Sequence, residues 1–220
     1  LTVFLAGSLI RFDREQYTWK ASSSQILRKS QLRWGSNLFH LGILAIFAGH
    51  LVGLLTPIQV FDALGISHGA KQILAIVAGG IAGVACFIGI SLLLHRRLFD
   101  ARIRANSSFA DTAILVILFV QLCLGLLTIP LSLGHLDGHE MVKFMTWAQG
   151  IAYLQPGASQ AIADVHFIFK MHIFLGLTIF LVFPFTRLVH VWSAPVWYLG
   201  RRGYQIVRTR DGRRVAPATK

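Results

Sequence analysis

The chain has 220 residues, of which 55% are hydrophobic and only 14% are charged. Soluble domains have about a quarter of their residues charged, so this composition excludes a soluble globular protein and favours a membrane protein. The formal net charge of +12 would suit nucleic-acid binding, but the basic residues gather between apolar runs, which excludes that class.

Apolar runs predict a bundle of transmembrane helices, because a helix needs about 20 apolar residues to cross the hydrocarbon layer. The first run, residues 1–10, is too short to span and has no initiator methionine. We interpret it as the end of a helix whose start is missing. Four complete spans follow, at residues 38–57, 73–94, 112–133 and 167–190. The expected fold is therefore an all-α integral membrane bundle of five transmembrane helices, the first one truncated.

The distribution of Lys and Arg predicts the orientation of this bundle. Seventeen of them lie in residues 11–37, in residues 95–111 and in the tail after residue 190, against only Lys71 and Lys143 in the opposite connections. Basic residues accumulate in cytoplasmic loops, so we expect the N-terminus outside and the C-terminus in the cytoplasm, in a multi-pass protein of the cytoplasmic membrane. Residues 1–193 form the predicted membrane domain. Residues 194–220 form a basic cytoplasmic tail, which could lie on membrane lipid or dock onto a partner subunit.

The outer connection between the fourth and fifth helices is long, running from residue 134 to residue 164. Loops of this length inside compact domains usually contain structure of their own. We therefore expect a helix over residues 140–153, lying on the outer face of the membrane.

Four histidines lie within the apolar spans, where ionisable side chains are costly and usually mark function. The second helix contains His40 and His50, and the fifth contains His172 and His190. Because these helices are antiparallel, the predicted orientation pairs His40 with His190 near the cytoplasmic side and His50 with His172 near the outer side. Paired imidazoles are common axial ligands of haem iron. We therefore predict an inner haem and an outer haem, each with two histidine ligands.

The cysteines indicate how these haems would be held. Cys86 and Cys123 each stand alone in a helix, and the chain contains no CxxCH sequence for covalent attachment of haem. Any haem must therefore be bound non-covalently, as haem b. The two cysteines themselves are expected to be packing residues.

The spacing of the histidines requires some irregularity in the helices. His172 and His190 would be about 27 Å apart along a regular helix, and His40 and His50 only about 15 Å. Tilt, side-chain reach and a kink at Pro184 would absorb the difference, since proline removes a backbone donor and clashes with the preceding turn.

Other residues near the histidines have two possible roles. Arg187, one turn before His190, could pair with haem propionates or anchor the helix at the membrane interface. Several glycines on the histidine-bearing helices could let a porphyrin approach the backbone, or could serve helix packing. They are Gly42, Gly49, Gly53 and Gly176.

Long stretches of the sequence resemble the gamma subunit of respiratory nitrate reductase. They are SNLFHLGILAIFAGHLVGLLTP (residues 36–57), LGLLTIP (124–130) and FKMHIFLGLTIFLVFPFTRLVHVWSAPVWYL (169–199), with RFDREQYTWKASSSQ (11–25) and RRLFDARIRAN (96–106) in collinear order. The resemblance implies a quinol-oxidising cytochrome b with two haems, which anchors an iron–sulfur subunit and a molybdenum-containing catalytic subunit on the cytoplasmic side. The haem ligands of that family map onto the four histidines above.

The resemblance also implies a direction of electron flow. Quinol would be oxidised near the outer haem with protons released outside, and electrons would pass through the inner haem to the iron–sulfur subunit. A lysine at the outer start of the third helix lines the family's quinol site, and Lys71 in AKQIL is the matching residue. An ordinary interfacial lysine is the alternative.

Two other functions stay open from the sequence. One is the cytochrome b anchor of another quinone-linked complex, such as a formate dehydrogenase, a hydrogenase or a sulfur-cycle reductase. The other is a haem-free transporter or anchor that uses histidines as a proton relay. A relay favours carboxylates within the membrane, and the spans have essentially none, with Asp111 at an edge. The chain also lacks molybdenum ligands and cluster-binding cysteines, so nitrate itself would be reduced by a partner subunit.

Overall fold

A computed structural model describes residues 1–19 and 29–193, which form helices and turns with no strand among them. The α-helices are α1 (Thr2–Arg14), α2 (Lys29–Leu55), α3 (Ile58–Ala63), α4 (His68–Phe99), α5 (Ala101–Ala105), α6 (Phe109–Leu133), α7 (His139–Ala152) and α8 (Phe167–Val182). Short 3₁₀ segments cover Gln16–Thr18, Ala158–Ile162, Phe183–Phe185 and Arg187–Ser193. The predicted all-α class is confirmed for these residues, and the basic tail, residues 194–220, lies outside them.

Four helical stretches of the described chain are long and apolar enough to cross a membrane. They are Ser30–Leu55, His68–Phe99, Phe109–Leu133 and Phe167–Phe185. Each corresponds to one of the four complete spans expected from the sequence. The first apolar run lies in α1, which has 13 residues. A fifth span and the orientation of the termini remain predictions.

Side-chain caps define where several helices begin. The Ser67 hydroxyl accepts a hydrogen bond from the amide of Ala70 at the start of α4. At the start of α6, Ser108 and Asp111 form a reciprocal capping box. Each cap satisfies amide groups that have no partner within the helix and stabilises the helix by about 1 kcal/mol.

The helices pack in chain order: α2 against α4, α4 against α6, and α6 against α8. Small residues bring α2 and α4 together, since a Cβ added to Gly42 would lie 2.6 Å from the Cβ of Cys86. Cys86 belongs to a buried core that it forms with Ile90 of α4 and Leu122 of α6. Its predicted role as a packing residue is confirmed.

Contacts between helix termini define two ends of the bundle. At the first, which we call the basic end, Arg97 of α4 lies 3.9 Å from Asp111 of α6, and Arg187 after α8 lies 3.8 Å from the same carboxylate. At the opposite end, the α7 end, Gln149 of α7 donates to the carbonyl groups of Leu54 and Thr56 at the end of α2. The helix expected over residues 140–153 is confirmed as α7.

The last span departs from the kinked but continuous helix expected up to residue 190. The α-helix ends at Val182 and continues as two 3₁₀ segments, separated by Thr186 in an extended conformation (φ −119°, ψ 176°). Pro184 explains why the helix stops here, since it has no amide hydrogen to donate and its ring clashes with the preceding turn. The kink expected at this proline is therefore a complete break, and His190 lies on a 3₁₀ segment.

Candidate functional site

The structure brings the four histidines together in the two pairs expected from the sequence. The ring centres of His50 and His172 are 6.2 Å apart, and the ring planes meet at 37°. The ring centres of His40 and His190 are 6.5 Å apart, with an angle of 71°. In both pairs one histidine comes from α2 and the other from α8 or the segment that follows it.

These separations fit two imidazoles on opposite sides of one metal ion. Metal–nitrogen bonds of about 2.0 Å, with about 1.1 Å from each ring nitrogen to its ring centre, put the ring centres about 6.2 Å apart. Two imidazoles in van der Waals contact without an intervening atom could approach more closely than this. The ring-centre separation in each pair therefore fits a bis-histidine site for haem b.

A backbone carbonyl group orients each imidazole through its Nδ1 atom. A carbonyl oxygen can only accept a hydrogen bond, so Nδ1 is the donor and Nε2 carries the lone pair that a metal ion would take. At His172 this lone pair faces the Gln121 amide nitrogen at 3.4 Å, which would give way to a metal ion. The four bonds are His40 to Ser36 (2.7 Å), His50 to Ile46 (2.8 Å), His172 to Gln121 (3.2 Å) and His190 to Arg187 (2.5 Å).

The glycines near the histidines separate into two groups. Gly42 serves helix packing against Cys86, as described above. A Cβ added to Gly49 or Gly53, which flank His50 on α2, would meet no atom within 4 Å. The space beside these two glycines is therefore open, whereas Gly176 lies against the amide group of Gln121.

Two residues of α6 next to His172 are additional site residues. The Gln121 amide nitrogen lies 3.4 Å from His172 Nε2 and donates to the His172 carbonyl group at 3.1 Å. A Cβ added to Gly125 would lie 3.0 Å from His172 Cε1. The sequence analysis missed both, although a single amide side chain in an otherwise apolar span is a signal that could have identified Gln121.

The basic end places a charged cluster beside His190. Arg187 accepts the His190 hydrogen bond through its carbonyl oxygen, while its guanidinium group pairs with Asp111, which also pairs with Arg97. Two arginines against one carboxylate leave an excess positive charge. The side chains of Arg187 and Asp111 are only 23% and 14% exposed. This environment fits the carboxylate groups of a haem better than the fully hydrated position of an interfacial anchor.

Lys71 lies at the α7 end and is buried, with 6% of its surface exposed. Its ammonium group contacts the thioether of Met145 in α7 and lies 3.9 Å from the centre of the Phe61 ring. The side chain therefore does not extend into solvent as an ordinary interfacial lysine would. Because Met145 lies one turn from Gln149, α7 connects Lys71 to the end of α2 that carries His50.

Comparison with known proteins identifies the family. The sequence matches the nitrate reductase gamma subunit family over residues 1–210. The chain belongs to this family.

Characterised relatives agree with this membership. The gamma chain of respiratory nitrate reductase 1 of Escherichia coli (strain K12) is 52% identical, over 94% of this chain and 92% of the relative. The gamma chain of respiratory nitrate reductase 2 of the same organism is 54% identical, over 95% and 92%. The nitrate reductase gamma chain of Bacillus subtilis (strain 168) is 39% identical, over 96% and 94%.

Family membership decides between the functions left open by the sequence. The chain is a gamma subunit of respiratory nitrate reductase, which is a membrane cytochrome b subunit. It is a multi-pass protein of the cytoplasmic membrane and part of a multi-subunit oxidoreductase complex. The other quinone-linked complexes and the haem-free transporter are therefore set aside.

Proposed function

We propose that this gamma subunit holds two b haems and oxidises quinol at the α7 end of the bundle. Electrons would then pass toward partner subunits at the basic end. One haem would lie between His50 and His172, and the other between His40 and His190. The observation that carries this proposal is the pair of imidazole–imidazole separations, 6.2 and 6.5 Å, with all four Nδ1 atoms bonded to carbonyl groups.

The protein residues around each pair would have separate tasks. The carbonyl groups of Ser36, Ile46, Gln121 and Arg187 orient the imidazoles, and such bonds also raise the basicity of a ligand nitrogen. At the basic end, Arg187 and Arg97 supply the positive charge that would neutralise haem propionates. When bound, the two haems supply one-electron carriers at two depths of the bundle.

Quinol would bind beside Lys71. Oxidation of a quinol releases two protons and two electrons, so its oxygen atoms must lose hydrogen while they remain hydrogen-bonded. The Lys71 ammonium group could donate to a quinol oxygen in place of its contact with Met145, and would stabilise the quinolate as a proton leaves. The apolar surroundings of Met145 and Phe61 would strengthen this interaction by excluding water.

The orientation follows from the distribution of charge. The basic end, with Arg96, Arg97 and Arg187, would face the cytoplasm, and α7 would lie outside with the N-terminus. The iron–sulfur subunit would receive electrons at the basic end and pass them to the molybdenum-containing subunit, where nitrate is reduced. Residues 194–220 would contribute to this cytoplasmic surface or lie on lipid.

The deciding experiment measures haem content in the purified complex and its His172→Ala and His190→Ala variants. We expect two b haems per gamma subunit, both reduced by a quinol analogue. His172→Ala should lose one haem and abolish reduction by quinol. His190→Ala should lose the other and keep a haem that quinol still reduces but that no longer transfers electrons to the partner subunits.

Surface histidines provide the matched controls, since His135→Ala and His139→Ala change the same residue type near α7. They should retain both haems. If both His172→Ala and His190→Ala retained two haems, the ligand assignment would be wrong. Folded complex without haem would refute the proposal as a whole.

A further inference from the structure

The break after α8 interrupts the helical hydrogen bonds of its backbone. In an α-helix each carbonyl group accepts from the amide four residues later, and the extended conformation of Thr186 stops this pattern. The Phe183 carbonyl group finds replacements nearby, in the amide and the hydroxyl of Thr186 at 3.2 and 3.1 Å. The carbonyl groups of Pro184 and Thr186 bind a side chain from another helix.

That side chain is Arg11, in the last turn of α1. Its Nη1 atom donates to the Pro184 carbonyl oxygen at 2.6 Å and to the Thr186 carbonyl oxygen at 2.9 Å. Its Nη2 and Nε atoms donate to the carbonyl and hydroxyl oxygens of Thr18, at 3.1 and 3.4 Å. The planar guanidinium group can serve both partners at once because its donors have a fixed fork geometry. Arg11 therefore joins the break to the segment that follows α1.

The rest of α1 packs on the same break. A Cβ added to Gly7 would lie 2.9 Å from Pro184 Cγ, so only glycine allows this approach without a shift. Phe4 meets the rings of Phe180 and Phe183 edge-on. Together with Arg11, these contacts hold one face of α1 against the point where α8 ends.

We propose that Arg11 is a positioning residue for His190, and through it for the haem between His40 and His190. Thr186 lies four residues before His190, so its backbone conformation sets the direction in which the 3₁₀ segment Arg187–Ser193 continues. Without Arg11, the carbonyl groups of Pro184 and Thr186 would need water or other amides as partners. The segment would then rotate, and the His190 ring would lose its alignment with His40.

The inference rests on the proposed haem ligands. An alternative role for Arg11 is an interfacial anchor with its charge in water, as for many basic residues at helix ends. The geometry argues against this, since the same nitrogen atom binds two carbonyl groups of a distant segment. Arg14, three residues later in the same helix, is exposed and provides a charge-matched control.

The test uses the whole complex with Arg11→Gln, Arg11→Lys and Arg14→Gln. Haem content, the midpoint potential of each b haem and its ferric electron paramagnetic resonance signal are measured. His190→Ala and His172→Ala identify which signal belongs to which pair. We expect Arg11→Gln to shift the potential and the resonance of the His190-dependent haem, or to lose that haem, while the other haem is unchanged. Arg11→Lys should show a smaller shift in the same direction, and Arg14→Gln none.

An Arg11→Gln complex with both haems unchanged would overturn the inference. If Arg11→Gln lost both haems, the Arg11→Lys complex would decide. A change in Arg11→Lys that is confined to the His190-dependent haem would support the inference, and any other result would overturn it. If His190→Ala itself left both haems in place, the ligand assignment would fail, and this inference with it. If Arg11→Gln left both haems unchanged while His190→Ala lost one haem as expected, this inference would fail but the proposed function would stand.

Discussion

The two histidine pairs differ in backbone conformation, although in each pair one histidine comes from α2 and the other from α8 or the segment that follows it. His50 and His172 both lie on regular α-helices, α2 and α8, and their ring planes meet at 37°. In the other pair, His40 lies on α2 but His190 lies on a 3₁₀ segment beyond the break, and the ring planes meet at 71°. The first pair is a product of regular helix geometry, whereas the second depends on an irregularity.

The source of the orienting hydrogen bonds differs in the same way. His172 donates to a carbonyl group on a neighbouring helix, α6. His190 donates to Arg187, three residues earlier in its own segment. The His50–His172 pair therefore depends on packing between α6 and α8, and the His40–His190 pair on the local conformation around residues 184–187. Substitutions in these two regions should affect one haem each.

The largest effect is expected from Gly125→Val in α6. The added side chain would begin 3.0 Å from His172 Cε1 and would push the imidazole away from His50. Loss of ligand orientation typically lowers affinity by about 10- to 100-fold, and we expect the upper value here. Haem analysis should show selective loss of the His172-dependent haem.

Gly79→Val is the control for this substitution, since a Cβ at Gly79 meets no atom within 4 Å. It should retain both haems. Loss of the His190-dependent haem in Gly125→Val would contradict the separation of the two pairs.

Lys71→Ala tests the α7 end without touching either pair. Removing a charge-assisted hydrogen bond worth about 2 kcal/mol should lower kcat/KM for quinol by about 30-fold. The absorption spectrum and the content of both haems should stay unchanged. Steady-state assays with a quinol analogue, driven by nitrate, give the rate.

Lys143→Ala is the matched control, because Lys143 is at the same end but pairs with Glu140 and Asp164 at the surface. Its kcat/KM should equal that of the unchanged protein. If kcat/KM of Lys71→Ala equalled that of the unchanged protein, Lys71 would be a packing or anchoring residue without a role in quinol binding.

Pro184→Ala tests the irregular half of the comparison. Alanine restores the missing donor and removes the clash, so the α-helix can extend past Val182 and rotate His190. Because Arg11 and α1 still hold the break, we expect a moderate effect, about a tenfold weaker retention of the His190-dependent haem. A redox titration of both haems measures it.

Pro130→Ala in α6 is the control, since this proline lies within a continuous helix. It should leave both haems unaltered. If Pro184→Ala also left both haems unaltered, the break would be attributed to α1 and Arg11 without a contribution from proline.

The sequence predicted the parts of this site that follow from helix length and depth. Spans of apolar residues, their alternating direction and the positions of four histidines were sufficient to predict which imidazoles would meet. The irregular parts were harder to predict. Pro184 indicated a kink, but the 3₁₀ geometry of His190 depends on Arg11, which is 173 residues from Pro184 in the chain. The contacts of Gln121 and Gly125 with His172 likewise depend on how α6 packs against α8, which neither helix reveals by itself.

The smallest effect is expected at the surface of the α7 end. The Lys143 ammonium group donates to Asp164 at 2.8 Å and to Glu140 at 3.0 Å. These hydrogen bonds raise the pKa of Lys143, and the bond from Lys143 lowers the pKa of Asp164. Because the pKa of Asp164 is lowered, its ionised form stabilises the fold above pH 3.8, the ordinary pKa of this group. That stabilisation is lost as the pH falls through the pKa that Asp164 has in the folded protein. Because the pKa of Lys143 is raised, its charged form stabilises the fold below pH 10.5, the ordinary pKa of this group. That stabilisation is lost as the pH rises through the pKa that Lys143 has in the folded protein.

Asp164→Asn should therefore lower Tm by a small, nearly constant amount between about pH 5 and pH 9, because neither group titrates there. The difference from the unchanged protein should shrink below pH 4 and at high salt, since exposed ion pairs are screened. Thermal unfolding in detergent across this range measures it. A Tm difference that varied near pH 7 would require another titrating group. It would mean that Asp164, just before α8, interacts with charges other than that of Lys143. A difference that stayed constant across this range would fit an ion pair between Lys143 and Asp164 in which both groups keep their charges.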